Sequence, residues 1–186
     1  MTLTKKGEYG LRAMIQLGIA KSCGRELLAA SELAGSNRLP LKFIERILLE
    51  LREAGYIETQ RGKSGGYALA KPMEKITMGE IVRLIDGRLA PIGCASETEY
   101  VRCTCPDEEH CGLRMLMIDV RNAISNILDK YTLGDVVQVT LRKIQRDGLP
   151  MPYVVPTLES SRKGRRVADP ADGFLSALGI KTTLSK

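Results

Sequence analysis

The chain of 186 residues has no tryptophan, two phenylalanines, one histidine and five cysteines. It contains no run of eighteen apolar residues, so no segment suits a membrane-spanning helix. The opening "MTLTKKGEYG" lacks the charged-then-apolar build of a secretory signal. Internal repeats are absent as well, which removes the solenoid architectures. The expectation is a cytoplasmic protein with no membrane partner. In that compartment thiols are kept reduced, and clustered cysteines serve more often as metal ligands or redox centres than as structural disulfides.

Against this sparing use of cysteine, the stretch "CASETEYVRCTCPDEEHC", residues 94–111, holds four of the five cysteines and the only histidine. The net charge of +6 divides unevenly around it. Residues 1–90 carry 15 Lys and Arg against 10 Asp and Glu, residues 91–131 carry 4 against 7, and residues 132–186 carry 9 against 5. An acidic, thiol-rich segment thus sits between basic flanks, and a basic balance attracts nucleic acid or an anionic membrane surface. The length permits one good core with appendages rather than two full domains.

Helical spacing of Tyr9, Leu11, Ala13, Met14, Leu17, Gly18 and Ala20 predicts a first helix from Lys5 to Lys21, stopped by the glycine of "CGR". Ser31 to Ala34 reads as a short helix, broken by "GSNRLP". A longer helix follows, with Pro40 at its first position, Phe43, Ile44, Ile47, Leu48 and Leu51 on one face, and Gly55 as its stop. Two helices joined by a tight turn form a helix-turn-helix pattern. The strand-like "YIETQ" and "GYALA" flank "RGKSGG", whose glycines permit a hairpin tip, and a hairpin placed here is a wing. In "ITMGEIVRLIDG", Thr77 and Glu80 have capping-box spacing, and Ile81, Leu84 and Ile85 are expected to share a face.

Beyond the cysteine stretch, Leu113, Met117, Val120, Ile124, Ile127 and Tyr131 recur with steps of 4, 3, 4, 3 and 4. That seam suits pairing across a homodimer; packing onto its own domain is the alternative. Thr132 and Asp135 cap a final helix, and the proline-bearing residues from 148 onward, with "SSRKGRR", read as a flexible basic tail. The expected division is a winged helix-turn-helix domain over 1–90, a cysteine-rich ligand loop over 91–111, a dimerisation helix and final helix over 112–147, and the tail over 148–186. The fold class is mainly α with a small β-hairpin.

Affinity for DNA comes from phosphate neutralisation, and sequence is read by a few side chains at base edges. Lys42 and Arg46, four apart, share a helix face with Arg38 just upstream, while Arg61 and Lys63 sit at the hairpin tip with Gly62, Ser64 and Gly65. An arginine there fits a narrow minor groove. Glu45 could accept from cytosine N4 or be an ordinary solvated residue. A protein-docking module is the alternative use of the same unit.

The segments "MTLTKKGEYGLRAM", "LPLKFIERILLELREAGYIETQRGKSGGYALAKP", "ITMGEIVRLIDG" and "CPDEEHCGLR", in this order within residues 1–147, resemble the IscR/NsrR/RirA family of bacterial winged-helix repressors. The resemblance implies a homodimer on a palindromic double-stranded operator, with an iron-sulfur cluster, 2Fe-2S favoured over 4Fe-4S, in the loop before the dimer helix. It carries Lys42, Phe43, Glu45 and Arg46 onto the recognition helix, residues 61–66 onto the wing, and Cys94, Cys105 and Cys111 onto the ligand loop. Here the spacing is C-x8-C-x-C-x5-C, which adds Cys103, and Arg114 stands where one branch of the family has a ligating histidine. The fourth ligand is expected from Glu8 of the partner subunit, then Cys103, then His110. Two other readings stay open: a structural zinc site of four cysteines on a DNA-binding regulator, and a thiol-disulfide enzyme built on Cys103 and Cys105.

Overall fold

The structure, a computed structural model, describes residues 3–62, 65–153 and 174. Helix α1 spans Lys5–Ser22, opened by Thr4, whose hydroxyl accepts from the Gly7 N–H at 3.0 Å. Helix α2 spans Ala30–Asn37 and α3 spans Leu41–Glu53, with Pro40 immediately before α3 rather than inside it. The second helix runs further than expected, through "GSN". The polar side chains that would break it are absorbed: Ser36 Oγ and Asn37 Nδ2 donate back to Glu32 and Leu33 carbonyls at 2.7 Å, and both meet Gln16 of α1 at 3.0 Å. The chain then reverses at Arg38, which adopts the left-handed conformation (φ 54°) and sets the angle between the two helices.

The wing pairs β1 (Ile57–Gln60) with β2 (Gly66–Leu69) antiparallel, Ile57 opposite Leu69 and Gln60 opposite Gly66. Leu28 bridges to Tyr67 through two backbone hydrogen bonds and ties the hairpin to the segment before α2. Helix α4 (Met78–Asp86) carries the predicted capping box of Thr77 and Glu80, and α6 (Leu133–Arg146) that of Thr132 and Asp135. The two N-termini are bridged: Met78 N–H donates to the Tyr131 carbonyl at 3.0 Å and Leu133 N–H to the Ile76 carbonyl at 2.7 Å. Helix α5 (Gly112–Lys130) lies between the thiol segment and this junction.

The core collects Met14, Leu28, Leu33, Ile44, Ile47, Leu48, Leu51 and Ile81, and α6 adds Leu133 and Val137 to it. Side chains at positions 7 and 10 of α1 would collide with Asp86 and Ile85, so glycine there lets α4 approach. Within α4 the buried face is Ile81, Val82 and Ile85, while Leu84 stands on the flank at 36% exposure. Helix α5 buries none of its residues. Tyr131, at the end of the predicted seam, is buried, and Met117 and Ile124 are half-buried against the chain itself. The apolar stripe left facing outward is Leu113, Leu116, Val120, Ala123 and Ile127, again with heptad steps.

No described helix is long and apolar enough to cross a membrane. The expected tail lies outside the described residues after Tyr153, except for Phe174, whose ring meets Tyr131 edge to face at 4.6 Å.

Candidate functional site

The apolar face of α3 is sealed in the core, so its polar face is forced outward. Lys42, Glu45 and Arg46 are exposed there, beside Leu41 and Leu49, and Arg38 is exposed in the preceding turn. Arg38, Lys42 and Arg46 form no ion pair within the described residues, and their charge is left for a partner. Phe43 sits differently: its ring packs edge to face on Tyr9 of α1 at 5.8 Å, and Lys6 pairs with Glu50 at 2.6 Å beside it. These contacts brace α3 against α1, and they leave Phe43 only 36% exposed. At the wing, Arg61 is exposed and Gly62 adopts φ 121°, which a side chain would strain. Gly65 donates to the Gly62 carbonyl at 3.0 Å and has no room for a Cβ against the Gln60 carbonyl. Lys63 and Ser64 lie outside the described residues.

Cys94, Cys103, Cys105 and Cys111 line one cavity of about 310 Å³, together with Arg88, Val101, Arg102 and Leu113. Cys94 is buried in a single helical turn, Gly93–Ala95, and the other three are half-buried. The Cys105 N–H donates to Cys103 Sγ at 3.4 Å within this cavity. Burial and then the neighbouring Cys103 raise the Cys94 thiol. Hydrogen bonding to Cys103 and Cys111 pushes Cys105 up to about 11. Cys111 occupies the N-cap position of α5, and the Arg114 N–H, then Cys105 and the Leu113 N–H, hold its thiol below the ordinary value against the effect of burial. Soft thiols crowded around one cavity, one of them at a helix start, are the donor chemistry that an iron-sulfur cluster requires. Among the described residues, no group of three or more His, Cys, Asp or Glu side chains is arranged to hold a metal ion.

The loop is held by side chains that the motif reading passed over. Arg114 Nε donates to the Cys94 carbonyl at 3.0 Å, and Arg121 donates to the Ala95 carbonyl at 2.8 Å and pairs with Glu97 at 3.0 Å. Their spacing of seven, two helical turns, places both on one face of α5 and was the available signal. Arg114, which cannot ligate, thus serves as an anchor. Glu108 gathers Tyr100 OH at 2.8 Å, Cys103 Sγ at 3.6 Å and Arg114 at 3.4 Å. The Tyr100 hydroxyl, chiefly, lowers its carboxyl below the usual value, against the effect of burial.

The remaining candidates lie elsewhere. Glu8 on α1 pairs with Lys5 at 2.9 Å and Arg12 at 2.6 Å and does not line the cavity within its own chain. His110 is exposed, with Nδ1 2.8 Å from Asp107.

A helix-turn-helix with a two-stranded wing, followed by a thiol-rich loop and a long outward-facing helix, defines a winged-helix transcriptional regulator. The family described as "Rrf2: Iron-dependent Transcriptional regulator" matches residues 3–139, and the chain belongs to it. An rrf2-like HTH-type transcriptional regulator of Rhodobacter capsulatus is 36% identical over 137 residues, 73% of this chain and 91% of that protein. The HTH-type transcriptional regulator NsrR of Bacillus licheniformis is 30% identical over 152 residues, covering 77% and 99%. The solved structure of CymR, titled the global cysteine regulator of B. subtilis, superposes with a TM-score of 0.62 at 29% identity, over 74% of this chain and 97% of that one. The resemblance drawn from the sequence is borne out. The relatives are regulators rather than enzymes, so the thiol-disulfide enzyme reading falls.

Proposed function

We propose that this chain is a homodimeric, DNA-binding transcriptional regulator whose operator binding is controlled by an iron-sulfur cluster held by Cys94, Cys105 and Cys111 with a fourth donor. The observation that carries the reading is the convergence of thiols on one cavity at the start of α5. A cluster bound there supplies iron that changes charge and ligation with redox state, oxygen, nitric oxide or iron supply.

The chain's own residues offer a packed route from that cavity to the DNA-facing helix. Arg114 and Arg121 fasten the loop carbonyls to α5. Asp129, at the far end of α5, takes a two-pronged pair from Arg83 of α4 at 2.7 and 2.5 Å. Asp86 of α4 accepts from the Thr4 N–H at 2.8 Å and from its hydroxyl at the start of α1. Tyr9 and Lys6 of α1 then brace Phe43 and Glu50 of α3. A shift of the loop reaches α3 through contacts that are continuous.

On DNA, Arg38, Lys42 and Arg46 would neutralise phosphates, Glu45 would meet base edges in the major groove, and Arg61, with Gly62, Lys63, Ser64 and Gly65, would enter the minor groove. Two copies joined along the outward stripe of α5 would present recognition helices roughly 34 Å apart, matching a palindromic operator.

The test is anaerobic purification with iron and sulfide analysis, followed by operator titration of the loaded and the cluster-free protein. A brown protein with charge-transfer absorption and a change in operator affinity on cluster loss are expected. A colourless protein after anaerobic reconstitution, or one zinc per chain, removes the sensor. Arg61→Ala should weaken DNA binding and, where the wing arginine also meets phosphate, lower the salt slope by about one; an unchanged slope removes a phosphate contact by the wing.

A further inference from the structure

We propose that Cys103 is the fourth donor, so that the site is completed by four thiolates of a single chain and takes no ligand from the partner subunit. This rests on the cluster reading above and sharpens it.

Cys103 and Cys105 are separated by one residue, and in a straight strand their Cα atoms would lie roughly 7 Å apart. The chain is not straight here. It bends at Thr104, and the Cys105 N–H donates to Cys103 Sγ at 3.4 Å, folding both thiols into the same cavity. Cys103 thus lines the same cavity as Cys94, Cys105 and Cys111, and its sulfur is tied to the backbone of Cys105.

Cys103 is also oriented from behind. Glu108 lies 3.6 Å from its sulfur and is fixed in turn by Tyr100 and by Arg114 at the first turn of α5. Glu108 accepts from the Cys103 thiol as it stands; ligation as a thiolate gives up that proton and that bond, and the support left to the sulfur is the Cys105 N–H.

The competing donors are engaged in other contacts. Both carboxylate oxygens of Glu8 are engaged, one with Lys5 and one with Arg12, and ligation would cost both pairs. His110 is held by Asp107 and its side chain is 81% exposed, whereas all four cysteines are at least half-buried.

The experiment uses the full-length chain, reconstituted anaerobically as wild type, Cys103→Ser and Glu8→Gln. Iron and sulfide per chain and the visible absorption and circular dichroism spectra are measured, with far-ultraviolet circular dichroism reporting the fold of each cluster-free protein. Expected results are a Glu8→Gln protein indistinguishable from wild type and a Cys103→Ser protein that loses at least half of its iron or shifts its charge-transfer bands. A monomeric variant, Ile127→Glu, far along α5 from the cavity, should retain wild-type iron and spectrum. Loss of iron in Glu8→Gln or in a folded Ile127→Glu monomer, or an unaltered spectrum in Cys103→Ser, overturns the assignment while leaving the cluster in place. A wild-type chain that takes up no iron removes the cluster and this assignment together.

Discussion

The body of the molecule, residues 3–90 with α6, and the segment from 91 to 130 are held together by different physics. In the body, Met14, Leu33, Ile44, Leu48 and Ile81 are fully enclosed, and helices meet at glycines with no space to spare. In the segment, α5 has no fully buried residue, and only flank positions such as Met117, Ile124 and Leu128 are half-buried. Its loop is fastened instead by two arginines, a carboxylate hub and a backbone N–H on the Cys103 sulfur. Apolar burial makes a unit stable by itself, whereas polar anchors only position a unit whose remaining faces await a second surface. The body is thus a scaffold, and the segment presents thiols on one side and an apolar stripe on the other. A regulator needs that asymmetry, because a part that responds must be less stable than the part that binds.

The sharpest way to break this comparison is a matched pair of substitutions. Ile44→Ala in the body should cost about 2–5 kcal/mol in urea unfolding through the cavity it leaves. Leu116→Glu, on the outward stripe of α5, should leave the far-ultraviolet spectrum intact and move the sedimentation coefficient from dimer to monomer. Equal unfolding of both variants would abolish the distinction between the two regions.

A smaller and local effect is expected at Arg121, whose side chain is 13% exposed and whose guanidinium holds the Ala95 carbonyl. Arg121→Ala should lower hydrogen-exchange protection around residues 94–99 by about 2 kcal/mol, the scale of a charged hydrogen bond, and leave α1 and α3 protected as before. A uniform loss across the chain would mean that the loop belongs to the body's cooperative unit.

The smallest effect concerns acid. The Ala29 N–H and then Arg25 hold the Glu32 carboxyl below its ordinary value, against the effect of burial. A carboxyl lowered on folding stabilises the native state above its unfolded value of about 4.5 and loses that contribution as pH falls through the lower folded value. Glu32→Gln should therefore narrow the stability difference between pH 7 and pH 3, measured by urea midpoints. An unchanged pH profile would show that Glu32 contributes nothing to acid sensitivity.

Much of the fold was legible in local pattern. The Thr77 and Thr132 caps, the glycine stops at 24 and 55, and the hairpin between β1 and β2 stand where the residues placed them. The crowding of thiols before α5 was equally plain. Other features were not legible. Helical periodicity put Leu84 on one face with Ile81 and Ile85, although Val82 is buried beside them and Leu84 is not, and assigned Met117, Ile124 and Tyr131 to the outer seam, although Leu116 and Ala123 face outward and Tyr131 is buried. Phe43 shared the amphipathic face of α3 but braces Tyr9.

The division follows range. A cap, a stop or a two-strand turn is settled by groups three or four residues apart, and these interactions form regardless of the surrounding fold, so sequence alone determined them. Which of two adjacent helix faces is covered, how a bend at Thr104 turns Cys103 toward Cys94, and what Arg114 and Arg121 grip are settled by neighbours tens of residues away. Only the packing of α5 on α4 and on the turn at Gly93–Ala95 brings those groups within a bond's reach, and that packing is a property of the whole chain.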